Sequence, residues 1–141
     1  MANQIFPCLW YNNQAKEAAE FYCTIFPNSK IISANLMVVI SQLNGAKIMG
    51  LNGGSMFPQT EAVSLVIECK DQTEIDHYWY KLIADGGKES QCGWCKDKFG
   101  VSWQVVPNGM AALMSNPEKA QRITAAYITM KKIDIALLLN A

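Results

Sequence analysis

A chain of 141 residues has the length of one ordinary domain, and folding can bury roughly two thirds of the surface its unfolded form exposes. Half of the residues are hydrophobic and 17% are charged, which excludes disorder, while twelve Lys plus Arg against twelve Asp plus Glu leave no net field for a nucleic acid or an acidic membrane. The longest apolar run, Ile135 to Leu139, falls far short of the roughly 20 residues of a membrane span. Met1-Ala2-Asn3-Gln4 opens no basic-then-apolar leader, so a cytoplasmic protein with no nucleic-acid or membrane partner is expected.

In chain order, Ile5 to Tyr11 is short and apolar and is bounded by Asn12-Asn13, which predicts a buried strand followed by a helix cap. From Gln14 to Phe26, the residues Ala18, Phe21, Tyr22, Ile25 and Phe26 recur at three- and four-residue steps, the stripe of an amphipathic helix that Pro27-Asn28 ends. Lys30 to Ala34, Met37 to Leu43 and Ala46 to Leu51 read as strands, with Asn44-Gly45 as a tight hairpin and Asn52-Gly53-Gly54 as a loop.

The pattern then restarts. Ala62 to Cys69 is a strand candidate, and Asp71-Gln72-Thr73-Glu74 has the spacing of a self-capping helix start. The helix carries Ile75, Tyr78, Trp79, Leu82 and Ile83 on one face and stops at Gly86-Gly87. Gln91 to Lys96 and Val101 to Val106 follow as strands, joined through Asp97-Lys98-Phe99-Gly100. A shift of 57 positions lays Leu9 on Val66, Ala18 on Ile75, Phe21 on Tyr78, Tyr22 on Trp79 and Ile25 on Leu82. One strand-helix-strands unit is thus used twice, in residues 1–57 and 58–109 of a single domain. Each unit buries one sheet face under its own helix, and the opposite faces of two curled sheets can enclose a cavity.

Residues 110–141 form a C-terminal helical extension. Ser115 and Glu118 stand at capping-box spacing with Pro117 in the first turn, and Ala120, Ile123, Tyr127 and Met130 make an apolar stripe. A stripe outside a complete two-module core can pack against a second subunit, so a homodimer is expected.

The segment Gly93-Trp94 followed by Lys96-Asp97-Lys98-Phe99-Gly100-Val101-Ser102-Trp103-Gln104-Val105-Val106-Pro107 resembles the PhnB-like branch of the vicinal-oxygen-chelate (glyoxalase, bleomycin-resistance and dioxygenase) superfamily. Ala18-Ala19-Glu20-Phe21-Tyr22, Phe26-Pro27-Asn28-Ser29, Leu51-Asn52-Gly53-Gly54 and Met130-Lys131-Lys132-Ile133-Asp134-Ile135 are similar to it as well. The resemblance implies an α+β fold of paired βαβββ modules whose curled mixed sheet surrounds a small-molecule cavity, in a homodimer. One departure is a short stretch, Ile31 to Met37, where members usually carry a longer loop.

Enzymes of that superfamily hold a divalent metal with four side chains, and the resemblance lays Pro7, Asn52 (or Gly50), Ser64 and Gln104 at those places. None is a histidine or a carboxylate, and neutral oxygens are weak ligands for zinc, nickel or iron, so neither a metal nor another cofactor is expected. The family is also catalogued as 3-demethylubiquinone-9 3-methyltransferase, yet no Gly-rich turn after a first strand offers a seat for a methyl donor.

Among single residues, Gln104 shares a strand face with Ser102 and Val106, and a buried glutamine needs partners that a substrate carbonyl, or Asn52 or Ser64, could supply. Tyr11 and Glu68 are equivalent under the 57-residue shift and are expected to face the cavity, with Glu68 a candidate proton carrier. In Cys92-Gly93-Trp94-Cys95, a strand sets residues three apart on opposite faces, so two independent thiols are expected, with Cys92 and Trp94 nearer the cavity. Five cysteines, Cys8, Cys23 and Cys69 among them, fit reduced thiols better than a metal site. His77 projects away from its helix's apolar face, and the four tryptophans read as core. Two functions follow: a binding protein that sequesters a small molecule, or an enzyme in which Gln104, Cys92 and Tyr11 orient a substrate and Glu68 moves a proton.

Overall fold

The computed structural model describes residues 3–141. The chain forms two compact units, one ending at Gln59 and one running from Thr60 to Ala141. In the first, β1 (Cys8–Tyr11), α1 (Ala15–Ile25), β2 (Lys30–Ala34), β3 (Val38–Leu43) and β4 (Ala46–Asn52) follow one another, and the sheet order is β1-β4-β3-β2. In the second, β5 (Ser64–Cys69), α2 (Gln72–Ile83), β6 (Lys88–Glu89), β7 (Trp94–Lys96) and β8 (Ser102–Pro107) repeat the scheme as β5-β8-β7-β6. The outer pairs β1–β4 and β5–β8 are parallel and the rest antiparallel, so both sheets are mixed and the fold is α+β. Three short helices close the chain: α3 (Met110–Leu113), α4 (Pro117–Tyr127) and α5 (Ile135–Leu139).

Each helix covers one face of its own sheet. From α1, Ala15, Ala18, Ala19, Tyr22 and Ile25 are buried, opposite Leu9, Tyr11, Val39, Ile48 and Gly50. A side chain at Gly50 would meet the Ala15 Cβ at 3.1 Å, so glycine there lets the helix start lie close to the strand. From α2, Ile75, Tyr78, Trp79 and Leu82 are buried, and the Trp79 indole donates to Glu89 Oε1 at 3.1 Å. Burying side chains of this size stabilises by about 1.5–3 kcal/mol each, which outweighs the helices' modest intrinsic propensities.

Local chemistry departs from the sequence expectations at several ends. Asn12-Asn13 does not cap α1; Asn13 is left-handed, and Asn52 Oδ1 at the end of β4 accepts the Ala15 N–H at 2.9 Å. Asp71 caps α2 as expected through the Glu74 N–H, but Glu74 Oε1 reaches back to the Lys70 N–H, one residue earlier than a standard capping box. The cap of α4 is Asn116, which accepts from Glu118 and Lys119, while Ser115 Oγ donates to the Ala112 carbonyl. Short β6 and α3 carry no periodicity that could announce them. Asn44 and Gly45, both at positive φ, make the expected hairpin. In the stretch Ile31 to Met37, Ile31 to Ala34 belong to β2 and the rest is a compact turn in which Asn35 Oδ1 accepts the N–H groups of Met37 and Val38.

The apolar stripe of α4 is buried in its own chain at Ile123, while Ala120, Tyr127 and Met130 are half-buried. Ile123, Ile133 and Leu138 are buried, and the backbone carbonyls of Met130 and Lys131 accept the N–H groups of Cys92 and Gly93 at 2.7 and 2.8 Å.

Candidate ligand-binding face

Sheet pairing decides which side chains share a face, and it corrects the internal alignment. β1 ends at Tyr11 and α1 begins at Ala15, whereas β5 ends at Cys69 and α2 begins at Gln72, so the second connection is one residue shorter. The helices correspond at a shift of 57, as expected, but the strands before them correspond at 58, and one residue of slip exchanges the faces of a strand. Leu9 thus answers to Ile67, Trp10 to Glu68 and Tyr11 to Cys69.

Two expected equivalences change. Tyr11 does not face away from the helix with Glu68: it is buried beneath α1, with its hydroxyl 3.4 Å from that of Tyr22. Pro7 is no longer the counterpart of Ser64. Asn52 also lies on the helix side, where it caps α1 and donates to the Leu36 carbonyl at 3.0 Å. Gly50, paired with Leu9 under α1, answers to Val105, which is paired with Ile67, and the place that Gln104 has beside Val66 in the second sheet is taken in the first by Met49 beside Cys8.

On the face of the second sheet turned away from α2, pairing sets Val66, Gln104 and Trp94 in one row and Ser64, Ser102 and Lys96 in the next. Gln104 Nε2 donates to Ser64 Oγ at 2.9 Å. Val66 is 56% exposed, and Ser64, Gln104 and Trp94 are half-buried, so a small molecule can reach the row. Ser102 Oγ is buried without a hydrogen-bond partner among the described residues, a costly state for a hydroxyl. Lys96 is tied to Glu61, and that hydrogen bond holds the Glu61 carboxyl below its usual range. Glu68 continues the face at an exposed position.

Cys92 lies elsewhere. It and Gly93 form a turn at φ 58° and 81°, not the start of a strand, and the turn is held by the C-terminal segment. Both Cys92 and Cys95 are free thiols, with Cys95 on the α2 side of the sheet beside Trp103. The tryptophans divide: Trp79 and Trp103 are core, while Trp10 and Trp94 occupy the faces turned from the helices. Trp10 donates to the Gly54 carbonyl at 2.8 Å, stacks edge-on with Phe57, and accepts from Gln59 through its carbonyl. His77 is exposed on α2. Strand alternation placed Ser102 on the face of Gln104 as expected, whereas Val66 and the Lys96–Glu61 pair were missed by sequence reasoning because they need the pairing register.

Burial pushes the thiols of Cys69 and Cys95 up to about 12, with nearby carboxylates adding to the effect. Iodoacetamide at pH 8 is expected to spare both in the folded protein and to label both in urea. Because the folded-state pKa is raised, the protonated thiols' contribution to stability is complete below pH 9 and is lost as pH rises toward 12. Urea midpoints measured across that window should fall less steeply in Cys95→Ala.

The donor set on this face does not fit a divalent metal. Ser64 and Gln104 are neutral, their first-unit counterparts Phe6 and Met49 bring no carboxylate or imidazole, and no group of three or more His, Cys, Asp or Glu suited to a metal occurs among the described residues. A groove of about 630 Å³ between the end of β8 and α4 is lined by Asn108, Ser115, Glu118, Lys119 and Arg122. Its lining is mostly exposed and of mixed charge, so it makes a weaker site than the Gln104 row.

Two mixed four-stranded sheets, each with a helix on one face and a parallel outer pair, make the glyoxalase/bleomycin-resistance fold. Among solved structures, the PhnB protein of Bacillus cereus is similar at 29% identity and TM-score 0.67, covering 74% of this chain and 99% of its own. The fosfomycin resistance protein FosX of Listeria monocytogenes, solved with Mn(II) and sulfate, matches at 14% identity and TM-score 0.62, covering 81% and 96%. A glyoxalase/bleomycin resistance protein from Albidiferax ferrireducens matches at 13% and 0.54, covering 71% and 93%. No curated protein matches. The family model described as 3-demethylubiquinone-9 3-methyltransferase matches residues 3–106, and the chain belongs to that family, the PhnB-like branch of the vicinal-oxygen-chelate superfamily. No helix among the described residues is long and apolar enough to cross a membrane.

Proposed function

We propose that this protein is a cytoplasmic homodimer that binds a small molecule without a metal, on the face that carries Ser64, Gln104 and Trp94. The observation that carries the reading is the neutral Gln104–Ser64 hydrogen bond, reachable from outside and flanked by Trp94 and Val66, where the superfamily's chemistry would call for charged or imidazole ligands. A polar pair set among apolar groups orients a ligand; on its own it supplies neither a nucleophile nor a base. Native mass spectrometry of freshly purified protein, beside a denatured control, tests this. A dimer that releases a small-molecule mass is the expected result, and stoichiometric metal would defeat the reading.

The family's description favours a second reading, methyl transfer to a demethylubiquinone-like phenol. Formation of methylated product from such a phenol and a methyl donor, lost in Gln104→Met, would establish it over binding alone.

A further inference from the structure

The chemistry of the Gln104 row narrows the ligand, an inference that rests on the proposed binding face. Gln104 Nε2 donates to Ser64 Oγ, which leaves Gln104 Oε1 without a donor among the described residues and the Ser64 hydroxyl hydrogen without an acceptor. The pair therefore presents an acceptor and a donor side by side. Its complement is a group with a donor and an acceptor on one edge, which a primary carboxamide or a lactam provides and a carboxylate does not. Buried Ser102 Oγ, next to Ser64 across the β5–β8 pairing and without a partner among the described residues, shows that this face is short of polar partners.

Charge points the same way. Lys96, the cation on this face nearest the pair, is neutralised by Glu61, and Glu68 adds an exposed carboxylate further along β5. An anionic ligand would surrender its hydration with no free countercharge to replace it, whereas a neutral amide loses far less. Trp94 and Val66 flank Gln104 in register and offer apolar surface to a ring. We propose that the ligand is a neutral, flat molecule whose carboxamide or lactam edge sits on Gln104 and Ser64 while its ring lies against Trp94.

The test follows the Trp94 indole and Gln104 side-chain amide signals by NMR during titration with benzamide, benzoate and N,N-dimethylbenzamide. Benzamide is expected to shift both signals and to saturate at a concentration about tenfold below the other two, the ratio set by one well-placed hydrogen bond. Gln104→Met keeps the bulk without the amide and should abolish that preference; Ser64→Ala, a smaller change, should reduce it if the first variant folds poorly. Equal responses to benzoate and benzamide, with the Trp94 signal still moving, would overturn the carboxamide assignment and leave the binding face intact. No response at either signal from any probe would overturn the face and the inference together.

Discussion

Replacing Asp97 with alanine is expected to destabilise the protein by on the order of 3–5 kcal/mol. Asp97 is 2% exposed and sits in the turn between β7 and β8. Its Oδ1 accepts the N–H groups of Phe99 and Val101 at 2.9 and 3.1 Å, and its Oδ2 accepts the Trp103 indole N–H at 2.8 Å. One carboxylate thus closes the turn and anchors a core tryptophan to it, and alanine would remove the acceptor that three donors share. Asn at the same position keeps one carbonyl acceptor and should lose about half as much. Urea unfolding at constant slope measures both, and an alanine variant within about 1 kcal/mol of the parent would show that the turn is held by something else.

Gly93→Ala should cost roughly 2–4 kcal/mol, from two sources that act together. Gly93 has φ +81°, a conformation that costs an L-residue energy, and an added Cβ would come within 2.9 Å of the Val105 carbonyl oxygen and 3.1 Å of Ile133 Cγ1. The backbone oxygen cannot move without breaking β8. Gly45→Ala is the control: φ is +86° but nothing lies within 4 Å, so it should cost only about 1 kcal/mol. The difference between the two urea midpoints isolates the crowding. Because Gly93 precedes Trp94, the near-ultraviolet circular dichroism of Gly93→Ala should change as well.

Much of the fold could be read from the sequence because helices advertise themselves. The stripes of α1 and α2 and the stop at Gly86-Gly87 are local, and the shift of 57 matched both helices correctly. The strand faces were harder to read. Their alternation repeats every two residues, so the single residue that separates the two strand-to-helix connections reversed the assignment of Tyr11 without disturbing any apolar pattern. Asn52 was misplaced for a related reason: an amide at the end of a strand looks the same whether it serves a ligand or caps a helix 37 residues earlier in the chain. Gln104 and Ser64 were singled out with their neighbours on the strand, but their hydrogen bond and the row with Val66 and Trp94 depend on long-range pairing. Cys92 was placed in a strand because a positive φ at a non-glycine residue leaves no trace in composition.

Gln72 acts as a surrogate peptide. Its Nε2 donates to the Ile133 carbonyl at 3.0 Å and to Asp76 at 2.9 Å, while its Oε1 accepts the Ile135 N–H at 2.9 Å. A single side-chain amide thereby offers the C-terminal segment the same donor and acceptor that a neighbouring strand would. Grip of this kind reads main chain and is blind to side-chain identity, so exchanging the side chains beside Ile133 leaves both bonds available. Ile133 itself, completely buried, supplies what main chain cannot: it fixes which residue of the segment stands opposite Gln72.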